Sequence, residues 1–167
     1  ARAAAERLLN ENILAGNENG EFLPENYLVR EEAAKIIVCA FNIEEDVESG
    51  NMFDDCDISA WYYPYIALAK SSGIVNGISE NIFGIGEYVT RQDLCVLIYR
   101  ATEKSGLKLA EKTSVEFSDY NSVSNYAAKA VSDLSNAGII TGFEDGTFMP
   151  HAFATRAETA VIIDRLL

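Results

Sequence analysis

The chain is short of basic charge. Thirteen Lys and Arg stand against 26 Asp and Glu, with a single His, and the formal net charge is −13. Nucleic acid is bound by Lys and Arg that displace phosphate counterions, and no basic stripe exists here to do so. Long hydrophobic runs are also missing: none approaches the roughly 20 residues of a membrane-spanning helix, so no membrane insertion is expected. Cysteine is scarce. Cys39, Cys56 and Cys95 show neither a disulfide framework nor C-x-x-C metal spacing, and they read as three free thiols, Cys39 and Cys95 as small core residues. His151 is the only histidine, so a Ser-His-acid set cannot recur along the chain. Gly146 sits in no calcium loop, because Thr141 and Phe143 stand where ligands should be. The expectation is a protein without cofactor or metal that is not an enzyme.

What the chain does have is a sentence spoken three times. Asn12-Ile13-Leu14-Ala15-Gly16 leads to Phe22, Arg30 and Glu32. Gly73-Ile74-Val75-Asn76-Gly77 leads to Phe83, Arg91 and Asp93. Gly138-Ile139-Ile140-Thr141-Gly142 leads to Phe148, Arg156 and Glu158. The spans Asn12 to Arg30, Gly73 to Arg91 and Gly138 to Arg156 are equal in length. Such self-similarity is the signature of a repeat architecture. The second and third copies open on Phe53-Asp54-Asp55 and Phe117-Ser118-Asp119, each followed by an aromatic, Trp61 or Tyr126. Copy one lacks this opening, and the chain is expected to begin inside that copy's first helix, as a domain cut from a longer protein. The repeats are set at residues 1–41, 53–102 and 117–167, together forming one domain. The linkers, Asn42 to Met52 and Glu103 to Glu116, are acidic or mixed in charge.

Each copy predicts two helices around a long loop. The first runs over residues 1–11, 62–72 and 127–137, with apolar residues at helical spacing, as in Ala127, Ala130, Val131 and Leu134. Asn12, Gly73 and Gly138 stand where a helix end favours positive φ, which Gly and Asn tolerate. The second helix starts at the arginine, over residues 30–41, 91–102 and 156–167. Thr155 and Glu158 form a capping box; Thr90 and Asp93 are a shorter-armed version. Val29 has lost the capping hydroxyl, worth about 1 kcal/mol, so this helix start is expected to fray most. The repeated acids are most simply caps, and no acid sits in an apolar run that would suit it to glycoside hydrolysis.

These words in this order resemble the S-layer homology repeat, with copy three the fullest match, down to Asp145-Gly146-Thr147-Phe148-Met149-Pro150 and Thr155-Arg156-Ala157-Glu158. The resemblance covers essentially the whole chain. It implies an all-α, mainly helical fold: a pseudo-threefold, three-pronged bundle with long loops between the helices of each repeat, monomeric as a pseudo-trimer. It implies an extracellular place in the cell wall or S-layer of a Gram-positive bacterium. Its implied partner is a secondary cell wall polysaccharide, acidic and often pyruvylated, held in inter-repeat grooves. The family's acidic-sugar arginine maps onto Arg30, Arg91 and Arg156.

The residues themselves leave alternatives open. The arginine fork suits a carboxylate, and a helix N-terminus with exposed amides favours an anion; equally, each arginine could sit in a structural ion pair, with Asp55 or Asp119 for example. Asp55 and Asp119 either orient the arginine or cap the next helix. Trp61 either stacks on a sugar or fills the core, whereas Phe53 and Phe117 read as core. Gly77 and Gly142 either let a ligand approach or serve a turn. Copy two has lost the D-G and Pro of its loop, and fewer than three equivalent sites are expected. The rival function is a helical-repeat module for protein binding or self-assembly, without glycan. Recognition of an anionic polymer by so acidic a protein has to be local, at cations focused by a groove.

Overall fold

A computed structural model of the protein describes residues 1–17, 19–44, 52–110 and 116–167. Residues 45–51 of the first linker, 111–115 of the second, and Glu18 lie outside these. Six helices carry the fold: α1 (Arg2–Asn10), α2 (Arg30–Ala40), α3 (Tyr63–Ser71), α4 (Arg91–Ser105), α5 (Ala128–Asn136) and α6 (Arg156–Leu166). A short 3-10 turn, Tyr120–Ser122, precedes α5. The fold is mainly helical, and the described residues include only isolated β-bridges.

α1, α3 and α5 end by the same device. Asn12, Gly73 and Gly138 have φ of 59°, 76° and 71°. The next amide folds back onto the last turn: Ile13 N donates to Leu8 O at 3.0 Å, Ile74 N to Ala69 O at 2.8 Å and Ile139 N to Leu134 O at 2.9 Å. This is the Schellman arrangement, which satisfies carbonyls that the helix end leaves unpaired. It also buries Ile13, Ile74 and Ile139 against the helix just completed.

The prongs are built across repeats. α3 packs on α2, α5 on α4, and α1 on α6. The first helix of each repeat therefore lies on the second helix of the repeat before it, and α1 closes the circle onto α6. The faces that meet are apolar: Ala4, Ala5 and Leu8 on α1, and the predicted Ala130, Val131 and Leu134 on α5, all buried. Burying a Leu or Val side chain contributes about 1.5–3 kcal/mol, so each prong depends on two repeats being present.

At the centre, three extended segments close a ring of backbone hydrogen bonds. Leu28 N donates to Ala154 O at 2.9 Å, Ala154 N to Val89 O at 3.0 Å, and Val89 N to Leu28 O at 3.0 Å. All three residues are buried. This ring is the pseudo-threefold axis in chemical form, since each repeat gives one donor and one acceptor. Above it, Tyr27, Tyr88 and Phe153 meet edge-on or tilted, with ring centroids 5.3 to 5.5 Å apart. Phe53 and Phe117 are in the core, against Phe83 and Phe148. The thiols are free; Cys95 is buried, and burial pushes it up to about 12.

Candidate functional site

The three helix starts differ as their sequences predict. Thr155 Oγ1 accepts from Glu158 N at 3.2 Å, and Glu158 Oε2 accepts from Thr155 N at 2.9 Å, a complete capping box. Thr90 Oγ1 accepts from Asp93 N, and its hydroxyl donates to Asp93 Oδ2 at 2.7 Å. Val29 makes no side-chain cap. The first amides are not available to an anion, contrary to expectation. Arg91 N and Gln92 N donate to Ala152 O and Pro150 O, and Arg156 N and Ala157 N donate to Asn26 O and Pro24 O. Arg30 N donates to Glu87 O.

Each arginine reaches into the loop of the next repeat. Arg30 Nε donates to Phe83 O at 2.9 Å, Arg91 Nε to Phe148 O at 2.8 Å and Arg156 Nε to Phe22 O at 2.9 Å. Each guanidinium also lies 5.2 Å from the ring centroid of that same phenylalanine, a cation–π contact. The accepting carbonyl is aimed by a left-handed residue: Leu23, Gly84 and Met149 have φ of 49°, 92° and 55°. That conformation costs a Leu or Met about 1 kcal/mol or more, and the arginine contact offsets it.

The acids join the same circuit. Glu32 Oε1 accepts from Arg156 Nη1 at 2.9 Å, and Glu158 Oε1 lies 2.8 Å from Arg91 Nη1. The ion-pair partners are thus the repeated acids of a neighbouring repeat, not Asp55 or Asp119. Glu32 is no cap at all, while Glu158 is cap and partner together. At the third junction the acid is Asp93, one methylene shorter. Its Oδ1 accepts from Tyr126 Oη at 2.6 Å, and Gln92 Nε2 donates to Tyr126 Oη and Ser124 Oγ. Burial first, then the bond to Asp93, push the Tyr126 hydroxyl up to about 12, so it stays a donor. Arg30 has no carboxylate partner among the described residues.

Asp55 and Asp119 take neither expected role. Asp55 accepts from the amides of Phe83, Gly84 and Ile85 at 2.8 to 3.0 Å; Asp119 accepts from Phe148 N and Met149 N, both at 2.8 Å. They pin the turn whose carbonyl the arginine takes. Burial pushes the Asp55 carboxyl up, but the amide donors outweigh it and leave it below its ordinary value. Gly77 and Gly142 serve the turn and its packing, with φ of 76° and 67°. A Cβ at Gly77 would stand 2.7 Å from the Phe53 ring, and one at Gly142 would stand 2.7 Å from Phe117.

Two clefts open beside the arginines. Groove I, of about 470 Å³, lies between the loop of repeat one and α2, and gathers Arg156, Glu32, Lys35, Trp61 and Tyr65. Groove II, of about 240 Å³, is its threefold counterpart and gathers Arg91, Glu158, Val161, Phe143 and Gly142, with Ala1 near the place Trp61 fills in groove I. Trp61 is 52% exposed, which removes the core reading. It shares its groove with Arg156, not with the Arg91 of its own repeat. Lys35, Glu32 and Tyr65 were not legible as groove residues. A signal for Lys35 was present all the same, because the matching positions hold Val96 and Val161.

These features define a three-repeat helical module with open inter-repeat clefts, each floored by an arginine. The chain belongs to the S-layer homology domain family, whose model matches residues 1–34, 53–95 and 116–160. Among its relatives are Exoglucanase XynX of Acetivibrio thermocellus, 30% identical over all of this chain and 15% of that protein, and the Surface-layer 125 kDa protein of Lysinibacillus sphaericus, 30% identical over all of this chain and 14% of that one. The Cellulosome-anchoring protein of Acetivibrio thermocellus is 30% identical over 93% of this chain and 35% of its own length. The chain therefore spans a minor part of each of these proteins. Family and relatives give it an extracellular place, at the cell wall or S-layer, as a surface-anchoring module. They point to a non-catalytic unit, the enzymes among them carrying this segment as a small part.

Proposed function

We propose that the domain fastens its parent protein to the wall by capturing an acidic secondary cell wall polysaccharide, of pyruvylated type, in its inter-repeat grooves. The observation that carries this reading is groove I, where an exposed Trp61 and a positively charged floor converge from different repeats. An aromatic face suits the apolar face of a pyranose ring, and a concave site with a few polar groups suits a small ligand. Groove II is the smaller site, with its aromatic, Phe143, lying 4.5 Å from the Arg91 guanidinium, and the Arg30 junction is laced by Tyr126. The repeat boundaries at 1–41, 53–102 and 117–167 remain part of the proposal, with the prongs exchanged between units.

The test uses purified Gram-positive cell walls before and after chemical removal of the secondary polymer. The domain is expected to sediment with intact walls and stay in solution with stripped ones. Trp61→Ala should weaken retention severalfold at unchanged thermal stability, by about 1 kcal/mol of lost stacking. Equal retention on stripped walls overturns the glycan reading. The alternative, a protein-binding or self-assembling surface, has one observation in its favour: Tyr27, Tyr88 and Phe153 stand 43 to 50% exposed together on the axis. A Phe153→Ser variant that loses retention while Trp61→Ala keeps it decides for that face.

A further inference from the structure

Resting on the groove reading above, we infer that the ligand carboxylate in groove I is read by the ammonium of Lys35, and that Arg156 is a positioning residue. Three of the five N–H donors of the arginine are already engaged. Its Nε donates to Phe22 O, its Nη1 to Glu32 Oε1 and its Nη2 to Ala15 O, and its side chain is only 10% exposed. The Glu32 carboxylate already sits on this fork and lines the same groove, and like charges repel a ligand carboxylate arriving there. The guanidinium therefore braces the cleft, tying α6 to the loop of repeat one and to α2.

Lys35 is differently placed. It stands one helical turn beyond Glu32 on α2, so both side chains face the same cleft. It lines groove I with Trp61 and Tyr65 and is half-buried. Its Nζ lies 6.0 Å from the Tyr65 ring centroid, and it has no ion-pair partner among the described residues. An ammonium in that state has donors to spare for an incoming carboxylate. The matching positions on α4 and α6 are Val96 and Val161, so a cation at this point of the helix belongs to groove I alone. With Arg156 balanced by Glu32, Lys35 supplies the net positive charge of the cleft. A saccharide stacked on Trp61 and carrying an acidic ketal fits this arrangement. In groove II Arg91 is balanced by Glu158 and Val161 stands in the lysine's place; its second cation, Arg165, sits one turn further along α6 and donates to Ile139 O.

The test separates charge reading from cleft integrity. The probe is a hexose methyl glycoside bearing a carboxyethylidene ketal, compared with its uncharged methyl ester by calorimetric or NMR titration. The wild type is expected to prefer the acid on the order of tenfold, the scale of a hydrogen bond to a charged group. Lys35→Met should bind acid and ester alike and unfold at the wild-type temperature, and Lys35→Arg should keep the preference. A Lys35→Met variant that still prefers the acid overturns the assignment, as does a wild type that never distinguishes the two. A wild type that binds neither probe but still sediments with intact walls overturns the Lys35 assignment and leaves wall anchoring standing. Loss of both probe and wall binding overturns the groove reading itself.

Discussion

Arg91 and Glu158 belong to different repeats and meet at 2.8 Å, with side chains 9% and 27% exposed. The other oxygen of Glu158 caps its own helix. Removing one member of a buried pair leaves a charge without its partner. Arg91→Ala and Arg156→Ala are each expected to lower stability by about 3 kcal/mol in urea unfolding. Arg30, with a carbonyl and a ring but no acid among the described residues, should cost less, about 1–2 kcal/mol. An Arg30→Ala loss as large as the other two would mean that the ion pairs contribute nothing. Alanine scanning of these arginines for glycan binding thus measures folding first.

The missing cap of α2 yields a gain. Val29 already has the extended backbone of a cap residue, with φ −82° and ψ 156°, close to Thr155 at −87° and 161°. Val29→Thr needs no backbone change and offers an oxygen to the third helical amide. The expected gain is about 1 kcal/mol, read as a higher urea midpoint at constant slope. Thr155→Val should lose as much or more, because Glu158 would forfeit its reciprocal bond. No gain from Val29→Thr would show that the α2 start is already satisfied.

The helices were legible because their signals are local. The caps at Asn12, Gly73 and Gly138 and the starts at Arg30, Arg91 and Arg156 rest on the φ preference and hydrogen-bonding reach of single residues. The exchange of prongs was not legible. Nothing within α1 says that it packs on α6 and not on α2, since an apolar stripe does not name its partner. For the same reason the acid beside each arginine read as a cap. A carboxylate oxygen of each acid meets a group of another repeat, and the ring of Leu28, Val89 and Ala154 together with the exchanged prongs sets that neighbour's position. Trp61 was left between a sugar platform and the core because its groove partner, Arg156, lies in another repeat, far along the sequence. Asp55 and Asp119 were misread because the consecutive loop amides, three for Asp55 and two for Asp119, converge only once the turn has formed.

The axial ring is open to a single-atom test. Ala154 N donates to Val89 O, and both residues are buried. Ala154→Pro deletes that N–H and leaves a buried carbonyl unpaired, which costs about 1–3 kcal/mol. The whole domain should lose stability in one transition, because every prong joins two repeats across the axis. Circular dichroism and Trp61 fluorescence are expected to report the same lowered midpoint. Two separated transitions would show that the repeats fold independently and that the ring is incidental.

Asp55 makes the fold sensitive to acid. Its folded pKa lies below the ordinary 3.8, because the amides of Ile85, Phe83 and Gly84 favour the carboxylate over the opposing cost of burial. A depressed folded pKa means that the unfolded chain takes up the proton first as pH falls. The stability this residue supplies is therefore complete above the ordinary carboxylate range and lost as pH drops through its folded value. Phe83 contributes both an amide to Asp55 and the carbonyl that holds Arg30, so protonation loosens the contact between repeats one and two. Asp55→Asn removes the titration while keeping the size. Between about pH 5 and pH 3, the urea midpoint of the variant is expected to fall less steeply than that of the wild type. Parallel slopes would place the acid sensitivity in other carboxylates and leave Asp55 a neutral pin for the turn.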